Sequence, residues 1–167
     1  MTITITGRIN PCGGEGKACV NYEVMIPAVA VHFPDVANCD KYGTINVIEL
    51  NPPLRKSHAD FWTPQTTWAP VIGTEILGKN RPEAFGFIKI KFECPIGGPT
   101  YEAWIILPEG HGYSYRDDGV EIIASVWVPG AKRGEFCAIH VDHTLSVERP
   151  DWFGRRYGQR YIPAAGS

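Results

Sequence analysis

The sequence predicts a mainly β protein that folds as a small closed Greek-key-like barrel with few short helices. Segments in which apolar or β-branched residues alternate recur along the chain, whereas the 3.6-residue periodicity of an amphipathic helix is scarce. The 167 residues are enough for a single domain with a buried core. Seven short strands would also suit a β-sandwich, but we favour the barrel.

The predicted strands are short segments spread over the whole chain, namely Thr2–Ile9, Lys17–Val24, Thr44–Leu50, Phe85–Glu93, Thr100–Leu107, Gly119–Val128 and Phe136–Asp142. The second strand is expected to pair with the first through a tight turn at Cys12–Gly16. Pro95–Pro99, which contains two glycines, is expected to form a hairpin loop. Val24–His32 is the one modest helix candidate, and Pro27 inside it argues against a regular helix.

Two segments fall outside this strand pattern. Residues 51–84 contain five prolines, and a connection of this length is expected to be functional or to hide short strands. The chain end is rich in arginine and aromatic residues. The sequence therefore predicts one barrel domain over residues 1–145 and a C-terminal extension over residues 146–167.

Composition and charge exclude several classes of protein. The formal net charge of −2 gives no basic footprint for nucleic acid or an anionic membrane. The first residues alternate Thr with Ile, unlike a signal peptide, and no apolar run approaches the roughly 20 residues that span a bilayer. The five cysteines are scattered and odd in number, which predicts neither a disulfide framework nor a zinc clamp. We therefore expect a cytoplasmic protein.

A glycine-rich turn follows the first predicted strand. Its glycines, Gly13, Gly14 and Gly16, surround Glu15, and Lys17 follows directly. Glycines allow consecutive backbone N–H groups to point into one concavity that holds phosphate oxygens, and the lysine would add a charge. Residue 18 is alanine and a strand is expected next, so this is not a Walker A loop. The alternative is a hairpin turn without a ligand.

Thr44 and Asn46 lie two residues apart in a predicted strand, so their side chains project from the same face. A hydroxyl and an amide oxygen are hard donors that suit Mg²⁺. Because both are neutral, phosphate oxygens would have to supply the negative charge around the ion. The alternative is an exposed strand face that carries Thr and Asn without a ligand.

The order of these motifs resembles that of the CTP-dependent riboflavin kinases of archaea, which are cradle-loop barrels. The opening GRINPCGGEGKACV is similar to the first hairpin and nucleotide-phosphate turn of the family, and YGTINVIEL to its Gly-Thr-Leu-Asn strand. FGFIKIKF is similar to its Phe-Gly strand, and AWIILPEGHGYSYRDDGVEIIAS to its Ile-Val-Pro turn and Glu-Ile-Ile-Ala strand. The resemblance covers the chain from about Ile5 to Val141.

The resemblance implies a Mg²⁺-dependent phosphotransferase that moves the γ-phosphate of CTP, or of another nucleoside triphosphate, to riboflavin or another small alcohol. By position, Thr44 and Asn46 would hold the metal, and Glu121 with His111 would act on the acceptor. The nucleotide-binding turn would consist of Cys12, Gly13, Gly14, Glu15, Gly16 and Lys17. Taken alone, Glu121 between Val120 and Ile122 would instead be a solvent-facing strand carboxylate.

The sequence departs from the family at three places. Cys12 stands where the family has a glycine, and Ala18 where it has an aromatic residue. A Leu-Arg segment that helps to hold the nucleotide in the family is replaced here by Ser125–Pro129. This last departure favours an alternative function, a non-catalytic nucleotide- or flavin-binding module on the same barrel.

His140, Asp142 and His143 lie close together in sequence and could suggest a metal site. On a strand, His140 and Asp142 share a face whereas His143 does not, and the sequence offers no evident third ligand. We therefore expect these residues to be structural.

Overall fold

The structure is a computed structural model that describes residues 2–12, 22–31, 33–39, 41–54, 59–63, 85–108 and 119–142. Within these ranges the chain forms seven strands, one α-helix and one 3₁₀ turn. The elements are β1 (Thr2–Ile9), α1 (Tyr22–Ala30), the 3₁₀ turn (Pro34–Val36), β2 (Thr44–Asn51), β3 (Phe61–Trp62), β4 (Phe85–Glu93), β5 (Thr100–Pro108), β6 (Val120–Ala124) and β7 (Phe136–Asp142).

Six of these strands close into an antiparallel barrel. Their order around the barrel is β4, β5, β6, β2, β1 and β7, and β7 pairs again with β4 through residues 138–141 and 90–93. Neighbours such as β6 and β2, or β1 and β7, are distant in sequence, so the connections are Greek-key-like. The prediction of a mainly β closed barrel is confirmed.

The barrel interior is filled by the side chains that alternate inward along each strand. Six of the most deeply buried, one from each barrel strand, are Ile5, Val47, Ile90, Ile105, Ile122 and Ile139. Because a strand has a period of two residues, the intervening side chains face the outer wall of the barrel. This division decides which polar residues can reach a ligand.

A second core lies on the outer wall of β4, β5 and β6. Helix α1 contributes Met25, Ile26 and Val29, which are buried on one side of the helix. The rings of Phe33 and Phe61 stack with their centroids 3.8 Å apart, and Phe61 stacks in turn on Phe87 at 5.0 Å. The barrel wall is therefore an interior surface where this layer covers it.

This layer explains one wrong prediction. Tyr22–Val24, the end of the expected strand Lys17–Val24, belongs to α1, while residues 17–21 lie outside the described ranges. The described partners of β1 are β2 and β7. Packing against the barrel stabilises this helix, because its apolar side chains fill part of the second core. This holds even though Pro27 lacks the backbone N–H needed for a helical hydrogen bond.

Other predicted bounds agree with the structure to different degrees. β1, β4 and β7 have the predicted bounds, and Pro95–Pro99 joins β4 to β5 as a hairpin. β6 ends at Ala124 rather than at Val128. The connection 51–84 contains the short strand β3, whose Trp62 lies against Gly86 of β4. Residues 143–167, including the predicted extension, lie outside the described part of the chain.

The described cysteines are free thiols. Cys39, Cys94 and Cys137 are buried, whereas Cys12 is exposed. Burial raises the pKa of the Cys94 thiol to about 11 and that of the Cys137 thiol to about 12. Both buried thiols therefore stay protonated at neutral pH and act as small apolar side chains. Among the described residues, no helix has the length and apolar character needed to cross a membrane.

A hydrogen-bonded chain on the outer wall ties β1, β7 and β4 together where the barrel closes. His140 contacts Thr4 Oγ1 through Nδ1 at 3.0 Å and Glu93 Oε2 through Nε2 at 2.7 Å. The backbone N–H of Gly97 donates to Glu93 Oε1 at 2.5 Å. His140 is therefore a structural residue in this fold, as the sequence predicts.

The hydrogen-bonded chain of Thr4, His140 and Glu93 gives a pH-dependent prediction. Donation by Gly97 and by His140 lowers the pKa of the Glu93 carboxyl below its ordinary value of 4.5. A carboxyl with a lowered pKa in the folded state stabilises the fold above its unfolded pKa, and this contribution is lost as the pH falls through the folded pKa. Glu93→Gln should therefore lower the melting temperature at pH 7 and have progressively less effect below about pH 4.5.

Thermal unfolding followed by circular dichroism between pH 3 and pH 8 measures this difference. Glu102→Gln is the matched control, because Glu102 is an exposed carboxylate on the neighbouring strand β5. A difference between Glu93→Gln and the unsubstituted protein that stays constant over the whole pH range would contradict the assignment.

Candidate functional site

The end of β1 is held between two other segments of the barrel. Ile9 pairs with Val47 of β2, and its backbone N–H donates to the carbonyl oxygen of Glu135 at 2.8 Å on the other side. The next backbone N–H, that of Asn10, donates to the carbonyl oxygen of Asn46 at 2.9 Å. The chain that leads into the glycine-rich turn therefore leaves the barrel directly beside Asn46.

The first residues of the turn are stabilised locally. The side-chain oxygen of Asn10 accepts a hydrogen bond from the backbone N–H of Cys12 at 3.1 Å, which is the geometry of an Asx turn. The Cys12 amide is thus satisfied within the protein, and the Cys12 side chain is exposed. The remaining predicted turn residues, Gly13, Gly14, Glu15, Gly16 and Lys17, lie outside the described ranges.

Thr44 and Asn46 lie on the outer wall of the barrel. The residues that alternate with them, Ile45 and Val47, pack into the barrel core. Thr44 and Asn46 therefore share the opposite face of β2, as predicted, and both are half-buried. Gly43, directly before them, has a φ of +72° and open space around it.

Glu121 belongs to the same patch of the wall. In β6 it is the cross-strand partner of Asn46 on one side and of Ile106 on the other. Directly opposite residues in an antiparallel pair have Cβ atoms about 4.5–5.5 Å apart. Thr44, Asn46 and Glu121 thus form one group of oxygen-bearing side chains, which we call the polar wall group.

The burial of Glu121 corrects the expectation of a solvent-facing carboxylate. Only 6% of the residue is exposed, although its chain neighbours Val120 and Ile122 face the barrel core. Its cross-strand partner Ile106 and the outward-facing Ile123 of β6 belong to the second core, so Glu121 lies at the edge of that core. Carboxyl side chains are seldom buried, so this position beside Asn46 is a candidate for a functional role.

The polar wall group offers a hydroxyl, an amide and a carboxylate, which are oxygen donors suited to Mg²⁺. In the part of the chain that the structure describes, no three His, Cys, Asp or Glu side chains gather closely enough to hold a metal ion. A divalent ion at Thr44 and Asn46 would therefore need further oxygens, such as those of a polyphosphate.

Buried apolar residues of the second core lie next to the polar wall group. The row of cross-strand neighbours runs from Glu121 to Ile106 of β5, then to Phe87 of β4 and Phe61 of β3. Ile106, Phe87 and Phe61 all belong to the second core. The oxygen donors of the polar wall group therefore lie next to the aromatic residues of the second core.

His111 lies outside the described ranges. In the sequence it falls between β5 and β6, the strand that contains Glu121. The sequence reasoning missed Asn10, whose side chain shapes the start of the turn. The signal for it was the Asn10–Pro11 dipeptide, because an Asn-Pro pair favours the start of a turn.

The segment Ser125–Pro129, which follows β6, packs against the barrel through one buried side chain. Val128 packs into the barrel core, whereas Val126 and Trp127 are exposed. The segment therefore presents Val126 and Trp127 to the outside.

Comparisons with known proteins do not assign a family. Scanning the chain against models of protein families gives no match, and searching the curated proteins gives none either.

Proposed function

We propose that this chain is a Mg²⁺-dependent phosphotransferase, resembling CTP-dependent riboflavin kinases, that transfers the γ-phosphate of a nucleoside triphosphate to a small alcohol. From the resemblance in sequence, CTP is the favoured donor and the acceptor is riboflavin or another small alcohol. The hydrogen bond from Asn10 N–H to the Asn46 carbonyl carries the proposal. It supports a site in which the glycine-rich turn and the neutral metal ligands meet.

Each part of the proposed site has one role. The backbone N–H groups of residues 13–17 and the Lys17 ammonium would hold the phosphates. Contacts from the Cys12 amide are not needed, because that amide donates to Asn10. Thr44 and Asn46 would hold Mg²⁺, which when bound neutralises charge on the β- and γ-phosphate oxygens.

The reaction forms a bond between the acceptor hydroxyl oxygen and the γ-phosphorus and breaks the bond from that phosphorus to its bridging oxygen. CDP leaves, and the hydroxyl proton goes to solvent or to a nearby carboxylate. Phosphoryl transfer depends mainly on positioning and charge neutralisation. Glu121, with His111, would orient the acceptor, and the location of Glu121 beside Asn46 supports this role.

A second candidate function is a binding module that holds a nucleotide or flavin without transferring phosphate. The exposed Val126 and Trp127 favour it, because they occupy the segment where the resembled family has its Leu-Arg contact. A product assay with CTP, riboflavin and Mg²⁺ distinguishes the two. Formation of FMN and CDP supports the enzyme, and binding without product supports the module.

The metal assignment predicts the effect of a double substitution. In Thr44→Ala/Asn46→Ala, turnover should fall by at least about 100-fold, since losing even outer-shell partners of a metal costs 10–100-fold. Thermal stabilisation by CTP should also lose its dependence on Mg²⁺. For the unsubstituted protein, CTP at 100 times its dissociation constant should add about 2.7 kcal/mol of stability.

Thr2→Ala is the matched control, because Thr2 is an exposed threonine in β1 with its partner in β7, away from the polar wall group. Unchanged turnover in the double variant, with the melting temperature preserved, would refute the metal assignment.

Glu121→Gln separates acceptor binding from folding. The amide has nearly the same size and shape as the carboxyl group, so the fold should be retained. The KM for the acceptor should increase about 10–100-fold, which corresponds to one hydrogen bond to a charged group. The KM for the nucleotide should stay unchanged.

Glu102→Gln serves as the exposed control for this substitution. A large drop in melting temperature for Glu121→Gln with unchanged acceptor KM would indicate a purely structural carboxylate.

A further inference from the structure

One end of the barrel is formed by the ends of β1, β4 and β6 and by the starts of β2, β5 and β7. We call this end the turn rim. It comprises residues 10–12, 41–43, 94–99 and 125–136 among those that the structure describes.

The turn rim concentrates exposed apolar side chains. Of the six large hydrophobic residues that are exposed in the described structure, five belong to it, namely Tyr42, Ile96, Val126, Trp127 and Phe136. Trp127 is 65% exposed and Phe136 is 60% exposed. The sixth, Val31, follows helix α1. Clustered exposed apolar residues mark an interaction surface more reliably than scattered ones.

Four of these side chains, those of Ile96, Val126, Trp127 and Phe136, are carried by loops that contact one another. The backbone N–H of Ile96 donates to the carbonyl oxygen of Phe136 at 3.3 Å, which joins the β4–β5 hairpin to the start of β7. The thiol of Cys94 donates to the carbonyl oxygen of Gly130 at 3.1 Å, which joins the same hairpin to the segment after β6. The apolar tips therefore project from one connected surface.

The turn rim is also positively charged. Lys41, Lys132 and Arg133 are exposed, and none of them forms an ion pair with a described residue. The one carboxylate in the described rim, that of Glu135, is half-buried and accepts a hydrogen bond from the Phe136 backbone N–H at 3.2 Å. This local excess of positive charge is hidden in the net charge of −2 for the whole chain, from which the sequence alone predicts no contact with an anionic membrane.

We propose that the turn rim docks on an anionic membrane surface. Trp, Tyr and Phe side chains prefer the interface between lipid headgroups and acyl chains, and nearby Lys and Arg side chains are attracted to anionic lipids. A second copy of the chain fits less well, because a symmetric rim-to-rim contact would bring Lys132 and Arg133 towards their own copies. Charge complementarity therefore favours the lipid surface.

The turn rim borders the proposed phosphoryl-transfer site, because residues 10–12 lead into the glycine-rich turn and Gly43 is followed directly by Thr44. The polar wall group lies on the outer wall of β2 and β6, whereas the docking residues lie on loops at the barrel end. The inference does not depend on the proposed function, because it uses none of the proposed ligand-binding side chains.

Sedimentation of the full-length protein with vesicles tests the proposal. One vesicle preparation contains phosphatidylcholine alone, and the other contains 30% phosphatidylserine. Binding is expected only to the anionic vesicles and should weaken as salt is added. Trp127→Ser/Phe136→Ser should lose binding. Lys132→Gln/Arg133→Gln should bind roughly 30-fold more weakly, because each basic residue near the surface contributes about 1 kcal/mol.

Val31→Ser is the matched control, because Val31 is 76% exposed but lies outside the turn rim, and it should bind normally. The substituted side chains are all exposed, so melting temperatures should be unchanged. No binding of the unsubstituted protein to anionic vesicles would overturn the proposal. Equal binding by the rim variants, or a rim-dependent dimer or acidic protein partner found without vesicle binding, would also overturn it.

Discussion

The hydrogen bond between Asn10 and Asn46 determines where the glycine-rich turn leaves the barrel. The end of β1 has β2 on one side and the segment before β7 on the other, so its direction is set by pairing on both edges. Because Asn46 is also the cross-strand partner of Glu121, the start of the turn at Asn10, the proposed metal ligand Asn46 and a buried carboxyl group lie close together. The proposed chemistry depends on this arrangement.

The second core gives part of the barrel wall two buried faces. The barrel interior is apolar, and the outer wall of β4–β6 is covered by α1, the 3₁₀ turn and β3. A carboxylate that would be solvated on a bare barrel is therefore buried at Glu121. Carboxyl side chains are seldom buried, which makes Glu121 a candidate functional residue.

Local periodicity was sufficient to predict much of the fold. The bounds of β1, β4 and β7 follow from their alternating residues, and the shared face of Thr44 and Asn46 follows from the two-residue period of a strand. The sequence was insufficient to predict elements whose structure depends on contacts between distant segments. Tyr22–Val24 belongs to a helix whose residues Met25, Ile26 and Val29 pack in the second core. The two residues of β3 are too few to show an alternating pattern.

The same limit applies to the site. Glu121 between two apolar residues predicts an exposed side chain, because alternation alone does not reveal a second layer over the strand. The pairing of Asn10 with Asn46 joins positions 36 residues apart, and only the topology brings them together. The positive, aromatic turn rim likewise comes from four separate loops of the sequence.

Paramagnetic broadening in an amide NMR spectrum tests the central claim most directly. Mn²⁺ replaces Mg²⁺ in a complex with CTP, and the amide signals near the metal lose intensity. The account predicts joint broadening of the signals of residues 13–17, 44–46 and 121. Broadening at residues 44–46 without the glycine-rich turn, or at neither segment, would contradict a shared polyphosphate site.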